Sequence, residues 1–518
     1  MKDIIIGVDA GTSVIKSIAF DLDGEQLAVS SVANVYSSLS NSGVEQDMED
    51  TWSNTLKTLR GLVEQIDQLP ERLAAISVTG QGDGTWLIDD AGKPTAPAWL
   101  WLDGRAGELA NELSQSESES TRFNFTGTGL NACQQGSQLA WMKRHQAELL
   151  EKSHTAFHCK DWLYYKLTGE RVTDPSEGCF TFGDFRTREY SDDVLRCLGL
   201  IDQQSLLPPM LEGVDEHHAL TGDAANHTGL LPGTPVVLGY VDIICTALGA
   251  GLYDPVQDTG CTIVGSTGVH MGMTRRLSDV SLNSDRTGYT MPMPIPGVSA
   301  QIQTNMASTL NIDWLLDLAV NLIASFQAEV DRKDLIARID QWMADTQPSA
   351  LLYQPYISEA GERGPFIDSK ARASFLGLST QHGFAELVRS VIEGLAFAAR
   401  DCYEAMGGAP AEVRLTGGAA RSEALRRVFG SVLGTSLRTT QRQEAGAAGA
   451  AMIAAVNIGH FATMDDCVTQ WVHPLLGPSE AYDESLHAIY QQSFQHYVQA
   501  RKALAPLWQQ QAALNIPI

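Results

Sequence analysis

The sequence predicts an α/β protein of two domains, and three observations carry that reading. The chain has 518 residues, enough for two full cores at roughly 100–200 residues per domain. Its N-terminal stretch sets short β-branched runs between tight polar turns. A similar strand, glycine-rich turn and strand return in the middle of the chain, beside helix-like stretches.

The elements follow in order. IIIGV at 4–8 reads as a buried strand. VIKSIAF at 14–20 and QLAVSSVA at 26–33 flank Asp23-Gly24, a hairpin signal. Residues 48–66 read as a helix, and LAAISVT at 73–79 as a strand that leads into TGQGDGTW. WLIDD then reads as a strand turning at Gly92. TPVVLGY at 234–240 is a strand ending at Val241-Asp242, and IICTALGAG continues as a helix. DTGCTIVGSTGVHMGMT echoes the first hairpin, one small-residue turn per half, although no direct repeat is visible. EVRLTGGAARSEALRRVFGSVLG reads as strand, Gly-Gly turn and helix. EAGAAGAAMIAAV reads as a helix whose Gly446 and Gly449 suit close packing, and 475–518 as terminal helices.

The net charge of −26 disfavours nucleic acid and anionic membranes as partners. ATP stays open, because a nucleotide site is built locally from backbone N–H groups and a metal ion. The eight cysteines form no CxxC pair, and no His cluster has zinc spacing. Scattered thiols point to a reducing compartment. MKDIIIGVDAG has acids around a short apolar run, unlike a signal peptide. The expectation is a cytoplasmic protein.

The sequence contains no P-loop, HExxH or GxSxG motif. Three glycine-containing turns remain. In GVDAGTSVIK, a strand delivers Asp9 to its end, and Gly11, Thr12 and Ser13 form a turn whose N–H groups can meet a phosphate. Asp9 could hold Mg²⁺ through water, and Lys16 could add charge. The residues alone leave an equal alternative: a plain hairpin with a solvated Asp. Gly265, Ser266, Thr267 and Gly268 form a second such turn. Gly417 and Gly418 let the backbone approach a flat ligand such as adenine.

Taken together, these segments resemble the FGGY carbohydrate kinases of the actin-like ATPase superfamily, almost end to end. DAGTSVIK is similar to the family's first phosphate loop and GVEQD (43–47) to its early substrate motif. CKDWLYYKLTGERVTDPSE is similar to its Lys-Asp helix and Thr-Asp loop, and GYVDIICTALGAG to the segment with the catalytic aspartate. GERGPFID and ASFLGLSTQHGFAELVRSVIEG resemble the second-domain signature, and GGAARS and EAGAAGAA the adenosine loop and interdomain helix. The resemblance implies two ribonuclease-H-like domains flanking a deep cleft, residues 1–247 for the sugar and 248–518 for ATP. It implies transfer of the ATP γ-phosphoryl group to a hydroxyl of a small polyol or sugar. Asp242 would be the general base, although a bare Asp there also reads as a helix N-cap. Asp9 would place Mg²⁺, the loops at Gly11–Ser13 and Gly265–Gly268 would hold phosphate, and Gly417 and Gly418 the adenosine. Family members are often dimers or tetramers, so a homo-oligomer is compatible, but no segment argues for an interface. A catalytically silent sugar-binding or regulatory protein on this scaffold is the alternative. It would have lost a base or a phosphate loop, and both Asp9 and Asp242 are present.

Substrate contacts are expected from Glu45, Gln46, Gln81, Asp83, Trp101 and Asp103, since carboxylates and amides bind hydroxyls in pairs. Trp86 and Trp101 could each face a sugar or pack in a core. TGQGDGTW lacks the third glycine of a dinucleotide fingerprint and precedes a strand. Its glycines read instead as thinning the wall of a sugar pocket. Xylulokinases typically carry His where Asp83 stands, and glycerol kinases an Arg where Val44 stands. GQGDG and DIICTALGAG are closer to erythritol and L-xylulose kinases. Asp83 opposes an anionic substrate, which favours a neutral polyol or ketose, erythritol before xylulose.

Overall fold

The computed structural model describes residues 2–514. Strands β1 (Ile4–Ala10), β2 (Val14–Asp21) and β3 (Gln26–Ala33) form an antiparallel meander, joined by β4 (Leu73–Gly80), β5 (His218–Ala219) and β6 (Pro235–Leu238). The sheet order is β5-β6-β4-β1-β2-β3, with β1 parallel to β4 and antiparallel to β2. The second sheet contains β7 (Thr259–Val264), β8 (Gly268–Thr274), β9 (Tyr289–Pro292), β10 (Ser299–Asn305), β11 (Glu412–Thr416) and β12 (Ser436–Thr439). Its order is β9-β10-β8-β7-β11-β12. In both sheets a central strand has an antiparallel neighbour on one side and two successive parallel strands on the other. The echo read from the two hairpins is therefore a repeat of topology.

Strand β1 shows how the sequence dictates this arrangement. Its side chains alternate between two faces. Ile4, Ile6, Val8 and Ala10 join the core under helix α1 (Met48–Gln65). Ile5 faces the opposite core, which the interdomain helices share. On that face stands Gly7, where a Cβ would lie 2.2 Å from the Ala447 carbonyl oxygen. A helix crosses the strand there at backbone contact.

The remaining helices that shape the site are α2 (Cys159–Thr168), α3 (Pro175–Phe182), α4 (Asp242–Ala250), α5 (Thr309–Ala324), α6 (Phe384–Ala405), α7 (Glu423–Leu433), α8 (Ala445–Asn457) and α9 (Glu484–Ala513). The boundary expected at 247/248 falls inside α4. Helix α8 crosses α4 through glycines: a Cβ on Gly449 would meet Cys245 O at 1.9 Å, and one on Gly249 would meet Ala445 O at 2.1 Å. In place of several terminal helices there is one, α9, which runs through Pro506 and buries Tyr490, Phe494, Tyr497 and Trp508 against the second domain. Residues 515–518 of that expectation lie outside the described residues. WLIDD contributes only Trp86–Ile88 as strand before the turn at Gly92. No helix among the described residues is long and apolar enough to cross a membrane.

Candidate active site

The first turn expected to hold phosphate closes the β1–β2 hairpin. Asn34 fixes it by donating its side-chain amide to Gly11 O at 3.2 Å and its backbone N–H to Ser13 O at 2.8 Å. Asp9 sits one residue before the end of β1 and faces α8, where a Cβ on Gly446 would lie 2.6 Å from its Oδ2. Burial pushes the Asp9 carboxyl up to about 6; Lys16 pulls it down and Glu444 pushes it up. Lys16 Nζ is itself bound by Glu444, at 2.8 Å, so the lysine expected near phosphate ties the first hairpin to the N-cap of α8.

The second turn, Gly265–Gly268, is strapped to the start of α5. Thr309 donates both its N–H and its hydroxyl to Gly265 O, each at 2.9 Å, and Ser308 N donates to Ser266 O at 2.7 Å. The turn thus lies at the positive end of a 16-residue helix, which suits an anion. Gly417, at φ +98°, approaches β7 so closely that a Cβ would stand 2.4 Å from Val264 O. Beside Gly418 opens a cavity of about 500 Å³, walled by Ile312, Ile339, Ile392 and Leu425 with Asp340 and Ser422 at its rim. An apolar slot with a few polar groups at its edge fits an adenine ring.

The 80–84 loop, expected to contact substrate, is built on glycines that allow close approach. A Cβ on Gly82 would clash with Val241 Cγ2 at 2.5 Å, and one on Gly84 with Trp99 O at 2.4 Å. Between them Asp83 adopts φ 55°, a left-handed conformation uncommon outside glycine. Its Oδ2 accepts from Cys133 Sγ at 3.5 Å, while Oδ1 is buried without a partner among the described residues. Burial raises this carboxyl to about 6, against the pull of His158.

Asp242 begins α4 immediately after Val241. It is not the cap: the N-cap residue is Val241, and no side chain caps the helix. Burial raises its carboxyl to about 7, with Asp9 and Asp83 adding repulsion against the Ile243 N–H. Such a group takes up a proton near neutral pH, as a general base requires.

The other expected contacts sort into two groups. One is a hydrogen-bonded chain: Trp101 Nε1 donates to Thr12 Oγ1, Thr12 Oγ1 to Gln81 Oε1, and Gln81 Nε2 to Gln46 Oε1, each at 2.8 Å. It joins the phosphate turn to the substrate loop and leaves the Trp101 ring partly exposed. In the other, Arg105 gathers Asp103 at 2.6 Å and Glu45 at 2.8 Å, with its guanidinium 3.4 Å over the Trp99 ring. Asp103 also accepts from Val44 N at 2.8 Å, so its oxygens shape the loop that presents Glu45. Trp86 is fully buried and belongs to the core.

Sequence reasoning gave no role to the buried charges behind this wall. Lys160 Nζ lies 2.5 Å from both Asp161 and Asp174. Asp174 accepts from the Ser176 hydroxyl, which in turn accepts from Val241 N at 3.1 Å. A charge network on α2 and α3 thereby fixes the residue next to Asp242. Charged residues crowded into an otherwise apolar stretch, KDW and TDPSE, were the available signal.

Two small-residue turns, an apolar slot with a polar rim and a glycine-built loop accompany three raised carboxyls, Asp9, Asp83 and Asp242, the parts expected of an ATP-dependent kinase of small hydroxylated compounds. Residues 4–249 match the N-terminal domain of the FGGY family of carbohydrate kinases, and residues 260–458 match its C-terminal domain. The chain belongs to that family. It is 51% identical to the erythritol kinase of Brucella abortus over 99% of this chain and 98% of the relative. It is 28% identical to the xylulose kinase of Escherichia coli, over 97% and 99%. The crystal structure of xylulose kinase from Rhodospirillum rubrum superposes with a TM-score of 0.86 at 26% identity, covering 98% of this chain and all of that one. This solved fold agrees with the expected actin-like architecture.

Proposed function

We propose that this enzyme phosphorylates erythritol, with Asp242 as the general base. The end-to-end 51% identity to an erythritol kinase carries the choice of substrate. Asp83 supports it as an acceptor for hydroxyl protons where an anionic substrate would meet like charge. The Asp242 carboxylate takes the proton of the attacking hydroxyl as that oxygen bonds to the γ-phosphorus and the bond to ADP breaks. N–H groups of the turns at 11–13 and 265–268 stabilise charge on the transferring group. Gly417 and Gly418 accept the adenosine.

A divalent cation fits beside Asp9, a raised carboxyl with no hydrogen bond among the described residues and a second raised carboxyl, Asp242, close enough to feel its charge. Bound there with ATP, Mg²⁺ would neutralise phosphate charge. The eight thiols, all free, suit the reducing cytoplasm.

The test is ADP release with erythritol, D-xylulose, L-xylulose, D-ribulose, glycerol and gluconate. Erythritol is expected to give the highest kcat/KM; best turnover with gluconate would defeat the charge argument. Asp242→Asn is expected to lower kcat by about 10²- to 10⁴-fold while the protein stays folded. Wild-type kcat in that variant would remove Asp242 from the mechanism.

A further inference from the structure

Arg363 stands on the second domain, yet its charge reaches the sugar pocket. Its base is fixed: Glu362 Oε1 accepts from Met306 N and Arg363 N, both at 2.9 Å, and Asn305 Nδ2 donates to Gly364 O at 2.8 Å. The Arg363 Nε donates to Thr304 Oγ1 on β10 at 3.1 Å. The two outer nitrogens of the guanidinium enter none of the hydrogen bonds or ion pairs among the described residues. Across the cleft, the first-domain loop 127–134 meets the second domain through Gly129 N to Gly288 O at 2.8 Å and Thr290 N to Thr128 Oγ1 at 3.2 Å. That loop carries Cys133, which holds Asp83 Oδ2. The Arg363 charge acts on Asp83, Cys133 and Tyr289, pulling each proton affinity down. The loop contacts and the Thr304 bond thus bring Arg363 and Asp83 to the same stretch of the domain interface, each with polar atoms that have no partner among the described residues.

We propose that Arg363 is a specificity-determining residue that donates to one hydroxyl oxygen of the substrate while Asp83 accepts from the neighbouring hydroxyl, so that the substrate joins the two domains. This rests on the polyol-kinase reading. A hydroxyl is both donor and acceptor, and a vicinal diol presents both functions at adjacent carbons. A carboxylate facing a guanidinium is the matching pair. The pair is also neutral overall, so a neutral polyol leaves no charge uncompensated, whereas a sugar acid would add one.

Steady-state kinetics of wild type, R363Q, R363K and the D83N/R363Q double variant test this, using the best neutral substrate of the panel and ATP varied separately. R363Q is expected to raise KM for the polyol about ten- to a hundredfold, the range of a lost charged hydrogen bond. KM for ATP should change less than about twofold and the melting temperature hardly at all, and R363K should recover part of the loss. The double variant should cost less than the product of the two single effects, because each removes half of one clamp. An unchanged polyol KM in R363Q, or equal rises in both KM values with a lowered melting temperature, would overturn the proposal and leave Arg363 a packing group. Wild-type enzyme that turned over no neutral polyol or ketose would overturn the polyol reading as well, a result distinguishable from failure of this inference alone.

Discussion

Asp242 owes its chemistry to where the chain places it. At the first turn of a helix, burial, with the Asp9 and Asp83 charges adding to it, holds its carboxyl near 7 in place of the ordinary value near 4. As the proposed base, Asp242 accepts the substrate proton only in its ionised form. The acid limb of kcat/KM is therefore expected to rise through about pH 7 and then level. A profile already flat from pH 5 would show that ionisation of Asp242 does not limit the reaction. Asp242 was legible through the resemblance of GYVDIICTALGAG to the family's segment; its place between a strand end and a helix start alone reads as a helix cap. Asp83 was legible because three alternate glycines isolate it. The partners of Arg363, and the way Lys160, Asp174 and Ser176 connect to Val241, were not. Their partners lie on other elements, and only tertiary packing brings Ser176 to Val241, 65 residues away.

At the scale of elements, the β1–β2–β3 meander and the strand–helix units at 234–250 and 412–433 follow from alternation, tight turns and caps, all local signals. The length of α9 and the shortness of Trp86–Ile88 do not, because packing against neighbours sets where an element stops. The α4–α8 crossing makes the firmest prediction at this scale. A methyl on Gly449 would overlap the Cys245 carbonyl, which must shift to admit it. Gly449→Ala is expected to destabilise the protein by about 1–3 kcal/mol in denaturant unfolding. Because Cys245 is on the helix that Asp242 begins, kcat should fall too. Unchanged stability would mean that the crossing is looser than this contact implies.

The whole molecule stores the opposition between folding and catalysis as a pH dependence. Burial raises Asp9 and Asp83 to about 6, Asp242 to about 7 and Glu177 to about 8. Between pH 4 and 8 the folded state therefore binds more protons than the unfolded chain, and stability falls as pH rises. Asp242→Asn removes one contribution. At pH 8 the ligand-free variant should be more stable than wild type by roughly 2–4 kcal/mol, with the difference shrinking toward pH 4. A melting temperature that is the same in both proteins at pH 8 would contradict this account.

Gly7 on the first sheet is shaped to the Ala447 backbone of α8, and Gly446 to Asp9. The two halves share a topology but are not interchangeable modules. A chimera joining residues 1–250 of this chain to the second half of a relative keeps the fit only if the borrowed helix has a glycine opposite Asp9 and a backbone that lies as closely on Gly7. If the 80–84 loop contacts the substrate as proposed, grafting that loop is expected to shift substrate preference with less damage to the fold than trading halves.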